Sequence, residues 1–146
     1  MPTYVQIVPT QLMLFIENET SYSKQGNAGV GFAIAYFTKI GYTVSIPLTD
    51  TQDYDLVVDN GENLLKIQIK TTGSKSRHGI YSLNLRVTGG NRSGVGKSKT
   101  FDQNHCDAVF AVTNEGSMYY IPRNVIKAKT TINLGKIYEK YKVNLL

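Results

Sequence analysis

The stretch "DYDLVVDNGENLLKIQIKTT", residues 53–72, constrains this chain more than any other. Apolar and polar residues alternate on both sides of an Asn-Gly pair, the pattern of two strands joined by a tight turn. Leu56 and Val58 share one parity, and Leu65, Ile67 and Ile69 share the matching one across the turn. Both sets must face the same core, so Asp55, Gln68 and Lys70 fall together on the opposite face of the hairpin. A carboxylate, an amide oxygen and an ammonium are thereby expected to converge.

The rest of the chain supplies a setting for that hairpin. "KQGNAGVGFAIAYFTKIGY" places Val30, Ala33, Ile34, Phe37 and Ile40 at helical spacing, with Gly41 to close the helix. Phe32, Ala35 and Tyr36 on the other faces make the helix largely buried, and the polar trio is expected beside it. A strand is predicted at 43–47. "GIYSLNLRV" predicts another, burying Tyr81, Leu83, Leu85 and Val87. "TGGNRSGVGKSK" reads as a flexible basic loop, and "DAVFAVTNEGSMYYIP" as a hairpin turning before Gly116. "LGKIYEKYKV" reads as a short terminal helix. This order predicts an α/β domain whose mixed central sheet is flanked by helices.

At 146 residues the chain supports one domain. It divides into an N-terminal arm (1–23), a core (24–72), a basic excursion (73–100) and a completing segment with the terminal helix (101–146). The only cysteine, Cys106, excludes an internal disulfide framework and fits a reducing compartment. The apolar run from Leu12 to Ile16 is too short to span a bilayer, and it lacks the basic start of a signal peptide. An intracellular, cytoplasmic protein without a membrane partner is expected, nucleoid-associated when bound to DNA.

The net charge of +5 favours a polyanionic partner. From Leu65 to Thr100 there is no acidic residue, yet eight of the sixteen Lys and Arg residues fall there: Lys66, Lys70, Lys75, Arg77, Arg86, Arg92, Lys97 and Lys99. Acidic residues gather instead from Asp50 to Glu62. A basic tract beside an acidic pocket suits DNA held over a cation. Ser82, Asn84 and Arg86 form the outward set of their strand and are candidate base readers. Lys75, Arg77, Arg92, Lys97 and Lys99 are candidate DNA contacts, mostly to phosphates. "GVGKSKT" is not a nucleotide loop, because Asn91 stands where the pattern needs glycine. His105 with Cys106 is too small a set for zinc, and His78 and His105 read as surface or turn residues.

Asp55, followed by Gln68-x-Lys70 on the next strand, fits metal-assisted phosphodiester hydrolysis. Asp55 and the main-chain carbonyl of Ile69 offer hard oxygens, Gln68 supports metal or water, and Lys70 can stabilise charge on a reacting phosphate. With the helix start "KQGNAGVG" and the strand "GYTVSIP", this segment resembles the PD-(D/E)XK nuclease core. It is most similar to the Gln-containing form of the cyanobacterial group I intron-encoded homing endonucleases.

The resemblance covers residues 24–72, and "YSLNLRVTGGNRSG" and "FDQNHCDAVFAV" continue it. It implies Mg²⁺-dependent, site-specific cleavage of double-stranded DNA by a homo-oligomer, either a dimer or a tetramer. Such nucleases carry a Glu on the first helix, and Val30 stands at that position. No acidic residue occurs between Lys24 and Asp50. The expectation is a site one carboxylate short, with slow cleavage and a high Mg²⁺ requirement, unless Glu17 or Glu19 of the arm supplies the ligand. A DNA-binding relative with weakened or lost cleavage is the alternative, and junction resolvases and restriction enzymes share the same core.

Overall fold

The computed structural model describes residues 22–88 and 98–146. Glu17, Glu19, Arg92 and Lys97 lie outside the described residues.

Helix α1, Tyr22–Lys39, forms where the helical spacing places it. Ala33 and Phe37 are fully buried on its inner face. Gly41 ends it at a left-handed φ of 89°, a conformation glycine adopts without strain. There the N–H of Gly41 donates to the Thr38 carbonyl and that of Tyr42 to the Phe37 carbonyl, a paired cap that satisfies the last turn.

Six strands make the central sheet: β1 (Thr43–Ser45), β2 (Leu56–Asp59), β3 (Leu64–Thr72), β7 (Ala108–Thr113), β8 (Met118–Pro122) and β10 (Lys142–Val143). Their order is β1-β2-β3-β7-β8-β10. The β3/β7 pair is parallel and its neighbours are antiparallel, so the sheet is mixed. Every residue of β7 is buried, as a central strand covered on both faces requires.

Two apolar clusters cover the two faces. Leu56, Val58, Ile67, Ile69, Ala108 and Phe110 pack under Ala33 and Phe37 of α1. On the far face, Val109, Ala111, Tyr119 and Ile121 meet Leu83, Leu85, Phe101, Ile132 and Tyr138. No α-helix among the described residues covers this second face. A short ribbon of β4 (Ser82–Asn84) and β9 (Thr131–Asn133) does so, with the 3₁₀ turn Lys136–Tyr141. No helix among the described residues is long and apolar enough to cross a membrane.

The hairpin forms in the expected register, Leu56 opposite Ile67 and Val58 opposite Leu65. Its turn is longer than a two-residue loop. Asn60 Oδ1 accepts from the N–H groups of Glu62 and Asn63, and Asp59 Oδ1 from that of Gly61, closing four residues. The "GIYSLNLRV" strand buries its expected set but is interrupted after Asn84, where that side chain accepts the Arg86 N–H and turns the backbone. The chain then resumes as β5 (Val87–Thr88), paired with β6 (Ser98–Lys99).

The predicted terminal helix is instead a 3₁₀ turn, and the extended β10 follows it. Lys142 and Val143 pair with Tyr119 and Met118 on the open edge of β8, which draws the chain out straight. Sheet hydrogen bonds there replace those a longer helix would have made.

Candidate active site

Backbone parity does most of the positioning. Ile67 and Ile69 point under α1, so Gln68 and Lys70 point to the far face. Asp55, one residue before β2, lies across from Gln68, and its N–H donates to the Ile67 carbonyl. The trio therefore converges on the face away from α1, not beside the helix.

Asp55 is held tightly. Its Oδ2 accepts from the Ile69 N–H at 2.7 Å and from Gln68 Nε2 at 2.7 Å. Burial pushes its carboxyl above the ordinary carboxylate range; the Ile69 N–H and the Lys70 charge act the other way. Burial lowers the Lys70 ammonium, against the attraction of Asp55 and Cys106. Lys70 Nζ donates to the Arg86 carbonyl at 2.5 Å, which fixes its long side chain.

Gln68 is only 7% exposed, and its Oε1 is buried without a protein partner. Such an orphan costs about 1–3 kcal/mol unless something occupies it. These three residues line a cleft of about 340 Å³ with Pro47, Thr49, Asp50, Gln52, Tyr54 and Val87. Asp55 and the Ile69 carbonyl offer two oxygens here, and the Gln68 amide turns its Nε2 toward both, 2.7 Å from Asp55 Oδ2 and 3.4 Å from the Ile69 oxygen; turned over, the amide would present its oxygen instead. Hard divalent cations that keep part of their water shell fit such a set. Among the described residues no group of three or more His, Cys, Asp or Glu side chains is placed to hold a metal.

The other sequence candidates are more dispersed. Val30 packs against the helix-side cluster, on the opposite side of the sheet from Asp55. Lys75 pairs with Glu115 at 2.7 Å and lies over the Tyr81 ring at 4.6 Å. Lys99 pairs with Asp53 at 3.4 Å. Arg77 is exposed. Arg86 reaches Ser98 Oγ at 3.3 Å, close to the cleft through its own carbonyl. Asn84 is exposed and Ser82 half-buried, both in β4.

His105 is half-buried, with Nδ1 3.5 Å from Asp53 Oδ2, so it is more than a surface residue. The far wall of the cleft, from Pro47 to Tyr54, was marked in the sequence only by the crowding of acidic residues that begins at Asp50.

An α/β core with a carboxylate, Gln-x-Lys and a polar cleft beside a mixed sheet is an arrangement suited to phosphodiester hydrolysis. Residues 20–143 match the PD-(D/E)XK endonuclease family, and the chain belongs to it. It is a nuclease of this type. It is 31% identical over 104 residues to Protein 5.3 of Escherichia phage T7, an alignment covering 70% of this chain and 82% of that protein. The bacterial homing endonuclease I-Ssp6803I has a similar structure, with a TM-score of 0.66 and 28% identity, covering 80% of this chain and 79% of that one. The family and the mixed α/β nuclease fold expected from the hairpin are both borne out.

Proposed function

We propose that the protein is a Mg²⁺-dependent, site-specific endonuclease that hydrolyses phosphodiester bonds in double-stranded DNA, of the homing type. The observation that carries this reading is the Asp55–Gln68–Lys70 cluster lining one cleft, with the Gln68 oxygen left without a protein partner. Asp55 and the Ile69 carbonyl would hold the cation, joined by Gln68 Oε1 once the amide turns over from its present hydrogen bond to Asp55. When bound, such an ion supplies charge neutralisation at the phosphate and a more acidic water. Gln68 Nε2 fixes the Asp55 carboxylate, so the ligand is oriented before DNA arrives. Lys70 would place its ammonium against charge developing on the phosphate, anchored through the Arg86 carbonyl. Arg77 and Arg86, with Lys75 and Lys99 once released from their ion pairs, would carry the DNA.

Each chain offers one site, and cutting both strands at one place needs two, so a homodimer or homotetramer belongs to this reading. The similarity to I-Ssp6803I supports the homing type. The test is cleavage of a random-sequence duplex library across a Mg²⁺ titration. Discrete, sequence-defined cuts that vanish without Mg²⁺ and with Lys70→Ala are the expected result. Equal cutting by wild type and Lys70→Ala would refute the assignment. A second reading, DNA binding with weakened cleavage, is favoured by the lack of any acidic residue in α1. That reading predicts retained DNA affinity with few or no cuts.

A further inference from the structure

We propose that Asp50, on the loop between β1 and β2, is the second carboxylate of the metal site. This rests on the reading that the cleft holds a hard cation. Three observations lead to it. Asp50 lines the cleft shared by Asp55, Gln68 and Lys70. Gln68, more than nine-tenths buried, lines the same cleft, and its Oε1 has no protein partner. The helix that would otherwise carry an acid packs Val30 into the opposite face of the sheet.

The other nearby acids are engaged elsewhere. Asp53 is held between Lys99 and His105 and is not part of the cleft wall. Asp59 accepts the Gly61 N–H at the far end of the hairpin. Asp50 makes no salt bridge among the described residues. Its loop is closed by reciprocal contacts between Thr49 and Gln52, including Thr49 Oγ1 to Gln52 Oε1 at 3.0 Å.

A cation bound by Asp55, Gln68 Oε1 and the Ile69 carbonyl alone would retain one protein anion. Asp50 adds a second negative oxygen from the solvent side and draws the loop over the ion. The ligand set then comes from a loop following β1 rather than from α1, and the Val30 position loses its importance for catalysis.

Terbium binding separates these alternatives without measuring cleavage. Tb³⁺ is a hard-oxygen probe, and Tyr54 in the cleft wall can sensitise its emission. Wild type should bind it and Asp55→Asn should abolish the signal. Asp50→Asn should weaken affinity about tenfold or more, the loss expected for a charged ligand. Asp53→Asn removes the same charge nearby and should stay within about threefold. Asp50 is exposed, so a thermal melt of Asp50→Asn should match wild type. If wild type binds no Tb³⁺, the metal reading itself fails. If Asp55→Asn abolishes binding while Asp50→Asn leaves it unchanged, the metal site stands and Asp50 is not in it. Equal losses for Asp50→Asn and Asp53→Asn would reduce the effect to a general field and also overturn the proposal.

Discussion

Asp55→Ala and Asp55→Asn should both abolish cleavage yet differ clearly in stability. Asp55 Oδ2 accepts two hydrogen bonds of 2.7 Å, from the Ile69 N–H and from Gln68 Nε2. Alanine removes both acceptor contacts. The Ile69 N–H belongs to a β-strand and cannot turn away; left unpaired in a residue only 8% exposed, it costs about 1–3 kcal/mol. Gln68 can recover part of its loss by swinging Nε2 toward the Ile69 carbonyl, now 3.4 Å away. The total for Asp55→Ala is about 2–4 kcal/mol. Asparagine keeps an acceptor oxygen for both donors and discards the charge. It removes the burial penalty that raises the Asp55 carboxyl, but it also removes the counter-charge of Lys70, so its net effect stays within about 1 kcal/mol.

The pH dependence fixes the sign. A carboxyl whose folded pKa is raised binds its proton more tightly in the folded state. Its contribution to stability therefore falls as pH rises from its ordinary value of 3.8 through its raised one. Asp55→Asn lacks this loss and should gain on wild type between about pH 4 and pH 7. Urea denaturation of all three proteins at both pH values measures it. Equal destabilisation by Asn and Ala, or a wild type that gains on Asn as pH rises, would refute the reasoning.

Gly29→Ala should destabilise by about 1–3 kcal/mol in thermal melts, because an added Cβ would lie 2.3 Å from Thr71 Cγ2, where α1 meets β3. Val30→Glu should place a carboxylate against the helix-side cluster, lowering the melting temperature without lowering the Mg²⁺ needed for single-turnover cleavage. Arg77→Ala should flatten the salt dependence of DNA binding by about one unit of log–log slope. Lys75→Ala should flatten it less, since Glu115 already competes for that ammonium. Arg86→Ala should lose about 1–3 kcal/mol of preference at particular base pairs, and equal losses on cognate and random duplexes would exclude a reading role.

Period-two alternation made the hairpin readable despite Val57 and Leu64, because only one register brings Leu56, Val58, Leu65 and Ile67 to one face. The same parity argument brought Asp55, Gln68 and Lys70 to one face. Periodicity also found the buried face of α1, Ala33 and Phe37, but the expectation of a largely buried helix was too broad: Ala35 is exposed and Phe32 and Tyr36 are only half-buried. Nor did it show which side of the sheet covers that face. Placing Val30 beside Asp55 failed on that point. β9 and β10, of three and two residues, are too short to display a period. The partners of Lys75 and Lys99 lie 40 and 46 residues away, so their pairing is set by tertiary structure alone. The cleft wall at Pro47–Tyr54 follows no repeat, and only the crowding of acidic residues from Asp50 onward announces it.

Glutamine at position 68 has a physical consequence for how this site is built. A glutamate there would put a second carboxylate within hydrogen-bond reach of Asp55, and two buried like charges resist ionising together. Glutamine avoids the conflict: its Nε2 donates to Asp55, and its Oε1 is left without a protein partner. Asp55 is thereby ordered even without a cation, although burial opposes its charge. That arrangement lowers the anionic charge available to a metal in the floor of the cleft. Any compensating carboxylate has to enter from the rim, where solvent reduces the cost of holding it ionised. Asp50 is exposed and borders the cleft, and it meets that requirement where Val30 does not.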